Sequence, residues 1–309
     1  MRGRRILITG ATGEVARAIA EAFAPDNEVW AAARFTDAAA RARLEAQGIR
    51  TFAWTLGSGD FAGLPEDFDH VVHSACTIFP VKDDYDAAIA ANAEGTGLLM
   101  GYVRRARSFL YISSLNVYSE VADNGQPRVE TDPLGCHPRY APSYSAGKVA
   151  TEGVVRALCR LFALPVTIGR LGMNYGVGCS GAPDMIFQQM LAGATIAVPP
   201  RGRSFAPLVN NADIVAQVEP LLDAARVPAT IVNWTGDEAV DERDMIDHLA
   251  AIAGLAPTLE ERPEAGFYGG VADPARRIAI TGPARYRWKA GFLAMLRANY
   301  PERSFNSAD

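Results

Sequence analysis

Apolar residues in the first half of this chain fall in short continuous runs separated by helix-length amphipathic stretches, the alternation expected of parallel strands covered on both faces by crossover helices. The runs predict strands at 5–9, 28–33, 50–54, 70–74, 108–113 and 165–170. The stretches between them predict helices near 15–23, 38–47, 85–105 and 144–162, the last carrying Val149, Val154, Val155, Leu158 and Phe162. The reading is an α/β fold with a doubly wound parallel sheet. After Arg170 the pattern loosens into Gly- and Pro-containing segments at 172–183 and 199–207. A helix from about 212, a strand at 229–233 and helices at 241–253 and 290–299 follow. A smaller region is therefore interleaved with the first.

The segment Ile6-Leu7-Ile8-Thr9-Gly10-Ala11-Thr12-Gly13-Glu14-Val15-Ala16 runs a buried strand through a glycine turn into a helix. Glycines there let the backbone approach a pyrophosphate, and the helix N-terminus holds it through backbone N–H groups. Gly10, Thr12 and Gly13 are thus the candidate phosphate loop of a Rossmann-like dinucleotide site. About 20 residues on, where an Asp or Glu would take the ribose hydroxyls of NAD, the chain has Ala32-Ala33-Arg34. Arg34 is either a charge-assisted partner of a 2′-phosphate or a solvated strand-end residue. The first reading favours NADP, with NAD the alternative. The expected division is a dinucleotide-binding domain at 1–171 plus 206–234 and a substrate-binding region at 172–205 plus 235–309.

Composition narrows the partners. With 309 residues, 49% hydrophobic, 21% charged and a net charge of -5, the chain is globular and carries no basic field for nucleic acid. A small-molecule substrate is expected. Cys76, Cys136, Cys159 and Cys179 form no Cys-x-x-Cys pair, so neither a metal site nor a disulfide framework is expected, and reduced cytoplasmic thiols are. The basic start Met1-Arg2-Gly3-Arg4-Arg5 precedes only Ile6-Leu7-Ile8, too short an apolar run for a signal sequence. No window reaches the roughly 18 apolar residues of a membrane span, so a soluble protein is expected.

Tyr144-Ser145-Ala146-Gly147-Lys148 places Tyr and Lys four residues apart, on one face of a helix. A free tyrosine has a pKa of roughly 10, and a nearby ammonium favours its phenolate, bringing proton exchange within reach at neutral pH. With the glycine loop, this pair resembles the extended short-chain dehydrogenase/reductase family, in its NAD-dependent epimerase/dehydratase branch. Further segments are similar in the family's order: Tyr111-Ile112-Ser113-Ser114-Leu115-Asn116-Val117-Tyr118, His70-Val71-Val72-His73-Ser74-Ala75, Asn92-Ala93-Glu94-Gly95-Thr96, 165–176 and 207–214, with Asn210 where the family usually has His.

The resemblance implies hydride transfer between a nicotinamide and a carbon bearing a secondary alcohol or ketone. Tyr144 exchanges the proton, Ser114 holds the reacting oxygen, and Lys148 binds the nicotinamide ribose. His73, Ala75 and Asn92 lie beside the cofactor, and Arg203 is either a phosphate-binding or a solvated residue. Dehydratases of the branch carry Asp-Glu after the Ser/Thr, where this chain has Leu115-Asn116, so dehydration is disfavoured. A nucleotide-sugar epimerase with tightly bound NAD and a non-catalytic dinucleotide sensor remain as alternatives. Helices near 85–105 and 144–162 resemble the pair through which relatives form a homodimer. Phe187, Met190, Phe205, Phe267 and Tyr268 are candidates for pocket or core, and Trp234 and Trp288 for core.

Overall fold

The continuous apolar runs become strands of one sheet. In the computed structural model, which describes residues 1–120, 125–135, 142–266 and 270–307, these strands are β1 (Arg5–Thr9), β2 (Glu28–Ala33), β3 (Arg50–Ala53), β4 (His70–His73), β5 (Ser108–Ser114) and β6 (Val166–Leu171), joined by Thr230–Trp234. Their order is Thr230–Trp234, β6, β5, β4, β1, β2, β3. The pairs β1–β2, β2–β3, β1–β4 and β4–β5 are parallel. Ile6, Leu7 and Ile8 are at most 1% exposed, because helices cover both faces of β1. Each such side chain contributes roughly 1.5–3 kcal/mol relative to exposure.

This is a Rossmann-like doubly wound fold. The chain leaves β1 towards β2 and β3, then returns to place β4 on the other side of β1. A crevice opens at such a reversal, outside the carboxyl ends of the strands. Thr9 and His73, the last residues of β1 and β4, face each other in register there.

The chain divides into two units. The first is built from Met1–Glu120, Pro133–Arg170 and Val215–Val232, and the second from the remaining described residues. In the first, the helices are α1 (Glu14–Phe23), α2 (Ala38–Glu45), α3 (Tyr85–Ile89), α4 (Gly95–Tyr102) and α5 (Pro142–Leu161). Leu99, Met100, Val155 and Cys159 from α4 and α5 pack with Leu7, Val71, Phe109, Tyr111 and Ile168 of the sheet. The single helix expected at 85–105 is interrupted: between α3 and α4, Ala90–Glu94 forms a π-turn. Such insertions recur at functional sites.

The second unit has its own core. Phe187 and Met190 of the helix Ala182–Leu191, Met245 and Leu249 of Glu242–Ala253, and Phe292 and Met295 of Trp288–Asn299 pack together, with Trp288 against them. The helix Ala182–Leu191 lies partly in the stretch expected to be irregular, and Pro183 is accommodated in its first turn. Phe205 is half-buried in a two-residue strand and Trp234 is fully buried. Phe267 and Tyr268 lie outside the described residues. No helix among the described residues is long and apolar enough to cross a membrane.

Candidate active site

Beyond β1 the backbone turns at Gly10, whose φ of +74° suits glycine. A Cβ there would lie 2.8 Å from the Ala75 nitrogen and 2.9 Å from its Cα, so the turn is pressed against the loop after β4. Gly10 N–H donates to Ala32 O at 2.8 Å, and Gly13 N–H to Gly10 O at 2.9 Å. Gly13 then caps α1 without a side chain. Thr12 and Gly13 are exposed. A helix start without a side-chain cap presents backbone donors and the positive end of its dipole, which together suit a phosphate.

His73 is fully buried and spans two hydroxyls, with Nδ1 2.7 Å from Thr9 Oγ1 and Nε2 2.8 Å from Thr96 Oγ1. Thr96 donates its proton to Asn92 O at 2.5 Å, so it accepts from Nε2–H. Thr9 accepts from Ala75 N–H at 3.2 Å and donates to Nδ1. The hydrogen bonds therefore run one way, from Ala75 through Thr9, His73 and Thr96 to Asn92. Burial, with help from Lys148, pushes the His73 pKa down to about 3. The ring is a neutral strut, unsuited to acid–base work.

Asn92, in the π-turn, accepts from Thr77 N–H at 2.7 Å and donates to Thr77 O at 2.9 Å and Ala88 O at 3.0 Å. Its amide is thus engaged with backbone, and it shapes the loop that carries Ala75. Farther along, Ser143 Oγ donates to Val81 O at 2.6 Å and Ser143 N–H to Lys82 O at 3.1 Å. The start of α5 is fastened to the same loop, one residue before Tyr144.

Lys148 is 5% exposed. Its Nζ donates to Ile112 O at 2.9 Å and lies 5.0 Å from the ring centre of Tyr111 and 5.9 Å from that of Tyr144. Burial opposes its charge, but Tyr111, Cys76 and Tyr144 outweigh burial and raise its pKa above the ordinary lysine range. Tyr111 is itself pushed up to about 12 by burial, against the pull of Lys148. Lys148 is therefore an ammonium and Tyr111 a neutral phenol at physiological pH. Two residues beyond Ile112, Ser114 ends β5, and its Oγ accepts from Asn116 N–H at 3.2 Å. Ser114, Tyr144 and Lys148 thus come from one strand end and the helix laid along it.

The motifs gave no role to the residues behind this centre. Ser113 Oγ donates to Glu152 Oε1 at 2.7 Å, and Arg170 donates to both Glu152 oxygens at 3.0 and 2.8 Å. The third arm of Arg170 reaches Tyr118 Oη at 2.9 Å. Ser113, Tyr118 and Arg170 fall inside segments similar to the family's, and Glu152 lies four residues beyond Lys148 on the helical stripe. Arg34 stands exposed at the end of β2, without a hydrogen bond or ion pair to any described residue. In the second unit, Arg201 pairs with Asp244 and Asp247, while Arg203 is exposed. Asn210 accepts from Ala212 N–H at 2.9 Å, at the start of a helix.

Residues 6–233 match the model of the NAD dependent epimerase/dehydratase family. A probable dTDP-glucose 4,6-dehydratase of Sinorhizobium fredii (strain NBRC 101917 / NGR234) is 28% identical over 195 residues, 56% of this chain and 54% of its own length. The dTDP-glucose 4,6-dehydratase of Xanthomonas campestris pv. campestris (strain B100) is 30% identical over 158 residues, 49% of this chain and 41% of its own. The chain spans about half the length of these curated relatives. Among solved structures, UDP-glucuronic acid 4-epimerase from Bacillus cereus, in complex with UDP-glucuronic acid and NAD, superposes with a TM-score of 0.80 at 19% identity, covering 95% of this chain and 98% of that one. UDP-N-acetylglucosamine 4-epimerase from Methanobrevibacter ruminantium M1 gives 0.83 at 14% identity, covering 98% and 100%.

Proposed function

The chain belongs to the NAD dependent epimerase/dehydratase family, and from that premise we propose that it is an oxidoreductase moving a hydride between a nicotinamide cofactor and a carbon bearing a secondary alcohol or ketone. The observation that carries the reading is Lys148, a buried ammonium fixed beside Tyr144 by the carbonyl of Ile112, which lies two residues before Ser114. The residues fit a dinucleotide: the glycine turn at Gly10 packs directly on the loop at Ala75, Thr12 and Gly13 are exposed, and α1 begins without a side-chain cap. Gly10, Thr12, Gly13 and Ala75 would hold the pyrophosphate side, and Lys148 the nicotinamide ribose. When bound, the nicotinamide supplies the hydride donor or acceptor.

Tyr144 gives or takes the proton at the substrate oxygen, Ser114 hydrogen-bonds that oxygen, and the Lys148 charge stabilises the Tyr144 phenolate. Leu115 and Asn116 supply no carboxyl group after Ser114, which argues against elimination even though the curated relatives are named as dehydratases. Exposed Arg34 in place of a carboxylate supports NADP. A second reading, epimerisation of a nucleoside-diphosphate sugar through a transient ketone with NAD retained, is favoured by the NAD and UDP-sugar ligands of the solved neighbours. Mass spectrometry of nucleotides retained after gentle purification separates the two. Co-purified NAD that resists exchange supports the epimerase, whereas freely exchanging NADP supports the reductase. A homodimer through α4 and α5 is part of the proposal, supported by Leu98 at 49% and Leu161 at 73% exposure.

A further inference from the structure

Tyr144, Lys148 and Glu152 sit at i, i+4 and i+8 on α5 and so form one stripe. Two members of that stripe are tied to consecutive strand residues, Lys148 to Ile112 O and Glu152 to Ser113 Oγ. The next strand residue is Ser114. On the other side of Ser114, the turn Leu115–Val117 leads to Tyr118, whose hydroxyl is held by Arg170. The Arg170 guanidinium also lies 4.8 Å from the Tyr118 ring centre. Ser113 before Ser114 and Tyr118 after it therefore end on the same ion pair, contributed by α5 and β6. Its side chains are 2% and 1% exposed.

We propose that Glu152 and Arg170 are positioning residues that clamp both flanks of Ser114 to the helix bearing Tyr144, and that their mutual neutralisation keeps either charge from adding to or offsetting that of Lys148 beside Tyr144. The proposal rests on the roles given above to Ser114, Tyr144 and Lys148. A buried ion pair is a weak source of stability compared with an apolar replacement, so stability alone does not account for a fork that touches four elements of the site. The fork geometry matters too: the planar guanidinium bonds the carboxylate through two arms and Tyr118 through the third, which an ammonium does not reproduce. Facing this stripe are Tyr111 of β5, Cys76 of the loop after β4, and His73 of β4, which is held neutral. None of these supplies a second cation.

The test is a titration of Tyr144 in the intact protein, using tyrosine labelled with carbon-13 at Cζ and assigned by loss of its signal in Tyr144→Phe. Glu152→Gln leaves Arg170 unbalanced and is expected to lower the Tyr144 midpoint; Arg170→Gln leaves Glu152 unbalanced and is expected to raise it. Eight residues at ~1.5 Å rise and an effective dielectric near 20 make each shift about one pH unit. Opposite signs are the signature, since a general loosening of the fold would move both variants the same way. The double variant is expected to return close to the unmodified midpoint. Breaking a buried pair risks the fold, so Ser113→Ala/Tyr118→Phe serves as a second arm, keeping both charges and removing both tethers. It is expected to leave the Tyr144 midpoint in place, since Tyr144 and Lys148 share α5, and to speed hydrogen–deuterium exchange over 112–118 by about tenfold or more as Ser114 is released from the helix. Shifts of equal sign or no shift in the charge variants, or unchanged exchange over 112–118 in the tether variant, would overturn the proposal. The readout needs no substrate, so it stands apart from the function above, which instead fails if Tyr144→Phe retains turnover.

Discussion

Thr9 and His73, 64 residues apart in the chain, meet at 2.7 Å across the reversal of the sheet. Burial holds His73 neutral with a pKa of about 3, whereas an unfolded histidine protonates near 6.5. Between those values the unfolded chain binds the extra proton. Stability from this residue is therefore complete above about pH 6.5 and is lost as the pH falls towards 3. By pH 5 the loss reaches about 2 kcal/mol. Urea denaturation at pH 7 and pH 5 is expected to show that difference in the unmodified protein and a smaller one in His73→Gln. Equal slopes would contradict a neutral strut.

Tyr144→Phe removes the proposed proton path and leaves the glycine turn intact. Turnover is expected to fall by ~100-fold or more, with cofactor affinity nearly unchanged by calorimetry. Lys148→Ala is expected to damage both, because it takes away the proposed ribose donor as well as the charge beside Tyr144. Retention of more than about a tenth of the activity by Tyr144→Phe would contradict its role as the proton-transfer group.

At the end of β2, exposed Arg34 is expected to make NADPH bind more tightly than NADH by about 1–3 kcal/mol through a charge-assisted contact. Arg34→Ala should erase most of that margin and leave NADH affinity as it was. Titrating both nucleotides against both proteins checks this, and an NADH preference in the unmodified protein would favour the retained NAD of an epimerase.

Gly10→Ala introduces a Cβ 2.8 Å from backbone at Ala75 while demanding φ of +74°. The left-handed conformation and the overlap together are expected to cost about 2–4 kcal/mol. Denaturant midpoints should drop accordingly, and nucleotide affinity should fall with them. Stability equal to that of the unmodified protein would mean that the turn yields without cost.

If α4 and α5 pair two copies, Leu98→Arg, on the exposed side of α4, should convert a dimer to a monomer in light scattering at micromolar concentration. A monomeric unmodified protein would count against the pairing.

The sheet and the Tyr144–Lys148 stripe were legible because their signals are local: unbroken apolar runs, a glycine turn after the first strand, and a four-residue spacing. The Glu152–Arg170 fork was not, since it joins residues on different elements, and nothing in either neighbourhood marks the partner. A hydrophobic period read over 85–105 also cannot register one inserted residue, so the π-turn was hidden inside a helix that looked continuous. At 172–183, Gly and Pro read as loop punctuation, yet Pro183 has no N–H to lose in the first turn of Ala182–Leu191. The position of Asn92 was legible as part of a motif, but its bonding to Thr77 depends on the tertiary fold.

That π-turn sets a limit on how this segment tolerates change in length. Deleting one residue from Ala90–Glu94 would restore an unbroken α-helix and relieve a local irregularity. Yet each residue of an α-helix advances its face by about 100°, so α3 would rotate against α4 and swing Asn92 or Thr96 off its partner. The Thr77 backbone would lose both of its bonds to the Asn92 amide, or His73 its bond to Thr96. A shorter, more regular helix here would thus be a worse one, and the irregular turn works as a phase adjuster that lets one length of chain address both the loop at Thr77 and the strand end at His73.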